Sequence, residues 1–590
     1  MNKRECDVLM SLKEYGYKSQ RALSLRTGYS LGSINKSINI LINNKYIDES
    51  CNLTEKSLSL IEKEKPKRAI ILAAGFGMRM VPINLETPKA LLEVHGQPLI
   101  ERLICQLNEV GIKEIYVVVG FMKERFEYLI DMYNVSLIIN TDYAHKNNLH
   151  SLALAKKHIR NAYIVPCDIW CKDNPFKTQE LYSWYAVRND QDCNSQVRVN
   201  RKNELVLLNS NEKGNSMTGL CYICNNDYKI VFDNISTMDL NPRYNDAFWE
   251  DALYENGKMI ANAKIVNELD ISAINTYEHL RELDLDSNHL KTDAISIIAD
   301  TLNIKENEIE QITVLKKGMT NRSFMFTCNE KKYIMRIPGE GTSMLINRRE
   351  EAKVYEELRG KNICDEVIYM NADNGYKITV LIENARVCDA FNKEDVAKCM
   401  KKLKSFHDKN LKVEHKFDLF DQIDYYENLW GNIKSEYKDY DATKEKVFSL
   451  KSYIDKNVEK LCLTHIDSVP DNFLFYNDGE QEEIRLIDWE YAGMQDPHVD
   501  IAMFAIYAGY NRNEIENLID LYFTEGCSEK TRIKIYCYIA VCGLLWSNWC
   551  EYKRIFGVEF GEYSLNQYRY AKEYYKIAKN ELKERGIEHA

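Results

Sequence analysis

A chain of 590 residues, 45% hydrophobic and 28% charged, exceeds what one core can organise, so two to four domains are expected. The formal net charge of −11 argues against a whole-chain polyanion binder but leaves room for a local basic module. The N-terminus breaks its apolar residues with charge, unlike a signal peptide, and the apolar run 538–546 is too short to cross a bilayer. Among 17 cysteines, Cys221 and Cys224 form one Cys-x-x-Cys with no second pair or nearby histidines to complete a zinc site. A reducing cytoplasm is the expected location.

Residues 1–62 form a short, helical, locally basic block. Ala22, Leu23 and Leu25, then Leu31, Ile34, Ile38 and Leu41, suit two amphipathic helices, with Gly28 as breaker and Ser30 as cap. The stretch 44–63 reads as a small wing followed by a helix. The block resembles a winged helix-turn-helix, in which Ser33, Asn35 and Lys36 would face a DNA groove. DNA is an open option, but a protein–protein or dimerisation module is preferred because the whole chain is acidic.

A charged linker, 63–68, leads into a domain spanning 69–283. There "AIILAA", "EIYVVVG", "VSLIIN" and "AYIVPCD" are apolar runs of strand length separated by helix-length segments, the pattern of an α/β, Rossmann-like domain with a mostly parallel sheet. The first run ends in small residues, Ala73, Ala74, Gly75 and Gly77, which let backbone N–H groups approach phosphate. Taken alone this is equally a tight packing turn. A dinucleotide fingerprint would need glycine where Met80 stands.

The pattern "LAAGFGMRMVPINLETPKALLEV" resembles the signature of sugar-nucleotide and phosphocholine nucleotidylyltransferases over most of 69–280. The resemblance implies that Arg79 lies on the triphosphate and that Lys89 bridges nucleotide and incoming phosphate. It makes Asp168 a magnesium ligand, with Glu250 or Asp251 as second acid. "TDYAHKNNLHSLALA" is similar to the phosphocholine cytidylyltransferase branch, which makes Asn147, Asn148 and Ser151 substrate-side candidates. Trp249 could cover a quaternary ammonium by cation–π attraction, although such aromatics are more often core.

From 284 to 590 a small β-rich part precedes a large helical one, a two-lobed α+β organisation. "THIDSVPDNFLF" sets His465, Asp467 and Asn472 in the spacing HxDxxxxN, and Asp488 ends the next strand-like run. Each carboxylate alone would be a cap or surface charge; together they have the layout of a protein-kinase-like catalytic loop. The segment 311–580 resembles choline and ethanolamine kinases. This implies that Asp467 orients the substrate hydroxyl and takes its proton, while Asn472 and Asp488 hold magnesium and His465 braces the loop. Gly318, Thr320 and Asn321 would form the phosphate loop, and Arg336 would pair with Glu351 or its neighbour Glu350. "LLWSNWCEYKRIFGVEFGEYSLNQYRY" is similar to the part of choline kinases that boxes trimethylammonium, making Trp546 and Trp549 the cage candidates, with Trp489 and Tyr491 as further ones.

The two resemblances concern consecutive steps: choline and ATP give phosphocholine, and phosphocholine and CTP give CDP-choline and pyrophosphate, with Mg2+ at both sites. Two alternatives are weighed. One is an ethanolamine kinase joined to a phosphoethanolamine or sugar-phosphate nucleotidylyltransferase. The other is a transcriptional regulator using nucleotide-binding domains as sensors.

Overall fold

Capping chemistry sets the boundaries of the leading helices. In the computed structural model, which describes residues 1–590 except 84–86, 193–194, 209–211, 268, 316–320, 340–341, 432, 478, 480, 556–559 and 587–590, α1 (Lys3–Tyr15) opens with a capping box between Asn2 and Glu5. Helix α2 (Gln20–Thr27) is capped by Ser19 and stops at left-handed Gly28, and α3 (Leu31–Asn43) is capped by Ser30. A single antiparallel bridge, Ile47 to Leu53, precedes α4 (Glu55–Glu64). Leu9, Leu12, Leu23, Ile34, Ile38 and Leu41 share one small core. Leu25, read from sequence as part of an apolar face, is 86% exposed, because residues two apart on a helix do not share a face.

The helical block is fixed to the sheet domain behind it. Leu181 enters its core, and Asp7 accepts hydrogen bonds from Tyr29 and Tyr182 (2.6 and 2.9 Å). Buried Glu64 accepts from the backbone and side chain of Asn225. The charged stretch expected as a linker is therefore helical through Glu64, and strand β1 begins at Arg68.

The next strands are β1 (Arg68–Ala73), β2 (Glu114–Val119), β3 (Ser136–Ile139), β4 (Ala162–Pro166), β5 (Trp184–Asp192), β6 (Gly214–Ile223) and β7 (Lys258–Val266). They lie in the order β3-β2-β1-β4-β6-β5-β7 within a ten-stranded sheet. The first four run parallel, β6 is antiparallel to β4 and β5, and β7 is parallel to β5. Helix α5 (Leu99–Glu109) contributes to the core on one face; α6 (Asn148–Ala155) and α7 (Tyr228–Asp239) contribute to the other. Strand β1 reads as an unbroken apolar run because Ala69, Ile71 and Ala73 enter one core while Ile70 and Leu72 enter the other. Strand order changes direction at β1, so its C-terminal end opens a crevice toward β4.

The chain divides into two compact units, Met1–Ser296 with Ile312–Val314, and Ile297–Gln311 with Leu315–Ala590. In the second, β8 (Asn321–Cys328), β9 (Lys331–Pro338), β10 (Val367–Met370) and β11 (Lys377–Val380) belong to a five-stranded sheet, where β8, β9, β11 and β10 are successive antiparallel neighbours. Helix α8 (Arg348–Leu358) lies between β9 and β10 in sequence. The helical part contains α9 (Lys393–Asp408), α10 (Val499–Ala508), α11 (Glu529–Ile555) and α12 (Glu562–Glu584), with short strands β12 (Cys462–Thr464), β13 (Phe473–Asn477) and β14 (Glu482–Leu486). Helix α11 is long and apolar enough to cross a membrane, yet its apolar window is wholly buried inside this unit. It contains the run 538–546 expected to be a buried helix.

Helices α11 and α12 touch at Gly543, where an added Cβ would lie 2.6 Å from the Gln567 carbonyl oxygen and 2.8 Å from the Ala571 nitrogen. Glycine inside a helix ordinarily gains about 1 kcal/mol on replacement by alanine. Here the backbone contacts forbid that gain, and Gly543→Ala is expected to destabilise the second unit by roughly 1–3 kcal/mol in urea unfolding. An unchanged or raised midpoint would contradict this close approach.

Candidate active sites

The first site lies at the end of β1. Ala73 and Ala74 are buried, and the Ala74 carbonyl accepts from the Phe121 N–H beyond β2 (3.2 Å). Gly75 is exposed and an added Cβ there would meet no atom within 4 Å, so its backbone faces open space. Gly77 adopts φ 63° and starts the one-turn helix Met78–Met80, which exposes Arg79 and buries Met80 completely. The residue in place of a third glycine is thus a core anchor.

Lys89 enters from a 3-10 turn after Pro88. Its Nζ donates to Asp168 Oδ2 (2.5 Å) and Asn275 Oδ1 (2.7 Å). Asp168 follows β4, and its carbonyl accepts from Ile274 N–H (2.8 Å), which holds Asn275 beside it. Asn275, 186 residues from Lys89, carries no local sequence signal and was not anticipated.

Glu250 and Asp251 sit in the turn Trp249–Leu253. Tyr185 donates to Glu250 Oε1 (3.0 Å), whereas Oε2 is buried with no hydrogen-bond partner among the described residues. Burial pushes the Glu250 carboxyl up to about 7, and the charges of Asp251 and Asp168 act in the same direction. Burial also raises Asp251, but that side chain has no comparable orphaned oxygen among the described residues.

The paired asparagines act on this turn. The Asn147 side chain caps α6 and donates to the Asp246 carbonyl (3.0 Å), while Asn148 Oδ1 accepts from the Trp249 N–H (2.8 Å). Ser151, buried, accepts from Asn140 (3.0 Å). Of these three, all expected on the substrate side, Asn147 and Asn148 form a clasp on the segment that carries Glu250. Trp249, expected over a quaternary ammonium, is 1% exposed and packs near Tyr185 in the core; its neighbour Phe248 is the exposed aromatic.

The second site is built on a loop after β12. Asp500, near the start of α10 and fully buried, accepts from the His465 and Ile466 N–H groups (3.0 and 2.8 Å) and pairs with His407 (2.9 Å). These bonds hold Ile466 at φ 69°, a left-handed conformation costly for a β-branched residue. His465 Nε2–H donates to the Ile487 carbonyl (2.9 Å) and its ring packs on Trp489, so it braces two segments. Burial holds its imidazole below its ordinary range.

Asn472 donates to the Asp467 carbonyl and to Oδ2 (2.8 and 3.2 Å). Burial pushes the Asp467 carboxyl up to about 7, and the Glu490 charge adds to that shift. Asp488 is raised for the same two reasons, and its backbone also sits at positive φ (66°). The two acids expected from sequence thus converge electrostatically with Glu490, which was not anticipated.

Arg336 on β9 makes a bidentate pair with Glu351 (2.5 and 2.9 Å). Of the two glutamates weighed, Glu351 faces inward and Glu350 only contributes its N–H to the Asn347 cap. Arg348 joins Glu351 (3.1 Å) to Glu490 (3.3 Å), and Asn321 donates to Glu490 (2.9 Å). Gly318 and Thr320 lie outside the described residues.

Trp546 and Tyr491 meet at 5.3 Å and 87°, and Trp546 and Trp549 at 5.7 Å and 64°. Trp549 Nε1–H donates to the Tyr491 hydroxyl (3.2 Å). The Asp467 charge acts on the Tyr491 and Tyr563 phenols, which burial already raises, so these aromatics adjoin the loop that carries Asp467. Trp489, also weighed for this cage, is 0% exposed, donates to the Leu486 carbonyl and packs on His465; it is a brace.

Residues 69–194 match the family model of the MobA-like NTP transferase domain, and 312–537 match that of choline/ethanolamine kinase. The choline-phosphate cytidylyltransferase of Streptococcus pneumoniae is 31% identical over 226 residues, covering 37% of this chain and 97% of the relative. Protein LicA of Haemophilus influenzae is 26% identical over 262 residues, covering 42% of this chain and 96% of the relative. A crystal structure of choline kinase LicA from Streptococcus pneumoniae aligns with 29% identity, 48% and 98% coverage and a TM-score of 0.42.

The Arg336–Glu351 pair has a pH signature. Burial alone would raise the Glu351 carboxyl, but the Arg336 guanidinium outweighs it and holds the group below its ordinary value. Its stabilising contribution is therefore complete above the unfolded value of about 4.3 and is lost as pH falls through the lower folded value. The stability gap between parent and Glu351→Gln, from urea unfolding, is expected to be level near neutrality and to narrow in strong acid. A gap that widens on acidification would contradict the sign.

Proposed function

The chain belongs to the choline-phosphate cytidylyltransferase family and carries a choline/ethanolamine kinase domain behind it, and from that premise we propose how its residues make CDP-choline. It is a transferase with two consecutive activities: ATP phosphorylates choline, and CTP then donates a cytidylyl group to the phosphocholine. The observation that carries the choline reading is the set of steeply inclined aromatic walls, Tyr491, Trp546 and Trp549, adjoining Asp467. Aromatic faces attract a quaternary ammonium without hydrogen-bonding it, which suits a methylated amine.

In the kinase, Asp467 is positioned by Asn472 to accept the choline hydroxyl proton as oxygen attacks the γ-phosphorus and ADP leaves. A carboxyl near pKa 7 is better matched to that task than an ordinary aspartate. Asn321, tied through Glu490 and Arg348 to Glu351, carries the phosphate-loop end into register with the catalytic loop. In the transferase, a phosphocholine oxygen attacks the α-phosphorus of CTP and pyrophosphate leaves. Backbone N–H groups at 74–77, Arg79 and Lys89 meet the negative charge, with Lys89 exchanging its Asp168 and Asn275 contacts for phosphate.

Magnesium fits both donor sets. Glu250 presents a buried oxygen with no hydrogen-bond partner among the described residues and within the electrostatic reach of Asp168, and Asp488 with Asn472 offers hard oxygens in a site crowded with negative charge. Glu250, rather than Asp251, is the second acid of the transferase on this reading. When bound, the ion supplies charge neutralisation on the phosphates. The first four helices and the Ile47–Leu53 bridge are read as a small winged helix-turn-helix fixed to the transferase.

Separate assays test the scheme. Lys89→Ala is expected to lower CDP-choline formation from phosphocholine and CTP by at least about 100-fold while choline phosphorylation continues. Asp467→Ala is expected to do the reverse, by roughly 10²–10⁴-fold. Loss of both activities from either change in folded protein would refute independent sites. Trp546→Ala is expected to raise the choline KM about tenfold with the ATP KM unchanged. Saturation by ethanolamine alone would instead favour the ethanolamine reading.

A further inference from the structure

A cavity of the transferase unit, about 300 Å³, lies where α1 meets the sheet, and none of its lining residues belongs to either site described above. Three lysines from distant segments line it: Lys3 at the start of α1, Lys177 before β5, and Lys264 on β7. Lys264 Nζ lies 3.7 Å from the Trp184 ring centroid and donates to the Pro175 carbonyl (3.2 Å). Lys3 Nζ donates to the Ala263 carbonyl (3.0 Å) and lies over Tyr182. The lining includes one carboxylate, Glu180, already engaged by the Tyr163 hydroxyl (3.2 Å), and one amide, Asn203.

The charge here is unbalanced, with three ammonium groups against one carboxylate. Nearby Asp7, which accepts from Tyr29 and Tyr182, partly offsets the Lys3 charge but lies outside the lining. Burial drives the Lys264 amine down to about 8 and lowers Lys3, while Lys177 disfavours the Lys264 charge further. Glu180 opposes the Lys264 shift and Asp7 the Lys3 shift, without cancelling either. The excess positive charge suits an anion, and a cavity of this volume admits a small phosphate-bearing molecule.

We propose that the Lys3–Lys177–Lys264 cavity is a binding site for a phosphate or pyrophosphate group, free or carried on a small metabolite, separate from both active sites. Because Lys3 belongs to α1 and Lys264 to β7, the anion would brace the helical block against the transferase sheet. The ligand class follows from charge and size, and the position gives the N-terminal block a role as one wall of an effector site.

The test is site-resolved lysine acetylation of the full chain, read by mass spectrometry, because a lysine near pKa 8 is reactive at neutral pH. The probes are inorganic phosphate, pyrophosphate and phosphocholine, each against sodium chloride at matched ionic strength. At least one probe is expected to slow labelling of Lys177 and Lys264 several-fold with saturation, and the effective probe identifies the source of the phosphate. Lys264→Gln should abolish protection at Lys177 while both transferase activities persist. Should Lys264→Gln fail to fold, exposed Lys177→Gln replaces it, with protection read at Lys264. Equal labelling with all probes and chloride would overturn the proposal, as would protection that survives the substitution.

Discussion

Both active sites are organised by the cost of keeping ionised groups away from water. Reactions among phosphates need cations for the substrate and acids for a metal, and burying either alone costs several kcal/mol. The chain meets that constraint by placing the two against each other. Lys89 rests on Asp168 and Asn275, and Arg336 and Arg348 share Glu351 and Glu490. At Glu250 and Asp467 burial pushes the carboxyl up to about 7, and neighbouring carboxylates add to the shift. Those are the positions where a metal or a substrate proton has most to offer.

The scaffolds solve the positioning in different ways. In the transferase, the parallel strands bring β1 and β4 side by side, so a loop at 74–77 and an acid at 168 face one crevice though nearly a hundred residues apart. In the kinase, one buried carboxylate, Asp500, fixes a loop that would otherwise relax from the left-handed conformation at Ile466. The candidate catalytic groups of both units are therefore set by partners distant in sequence.

Much of this was legible in the sequence, for identifiable reasons. Strands buried on both faces read as apolar runs, and the loop after β1, Lys89, Asp168, Asp467, Asn472 and Asp488 fall in short local patterns. Residues whose meaning lies in distant partners were not legible. Asn321 and Glu490 are 169 positions apart, and Asn275 and Lys89 are 186 apart. Asn147, Asn148 and Trp249 show the converse: a local pattern suggested ligand contacts, while the fold uses them to clasp and bury the turn before Glu250. Burial separated Glu351 from Glu350, and the contacts of Trp489 with the Leu486 carbonyl and His465 set it apart from Trp546, which is also buried.

The central claim is that one chain carries choline through to CDP-choline. The most direct measurement incubates the purified full chain with deuterated choline, ATP, CTP and Mg2+ and follows products by mass spectrometry. The account predicts deuterated phosphocholine followed by deuterated CDP-choline, with neither formed when ATP is withheld. Accumulation of deuterated phosphocholine without CDP-choline, or no phosphorylation of choline at all, would contradict it.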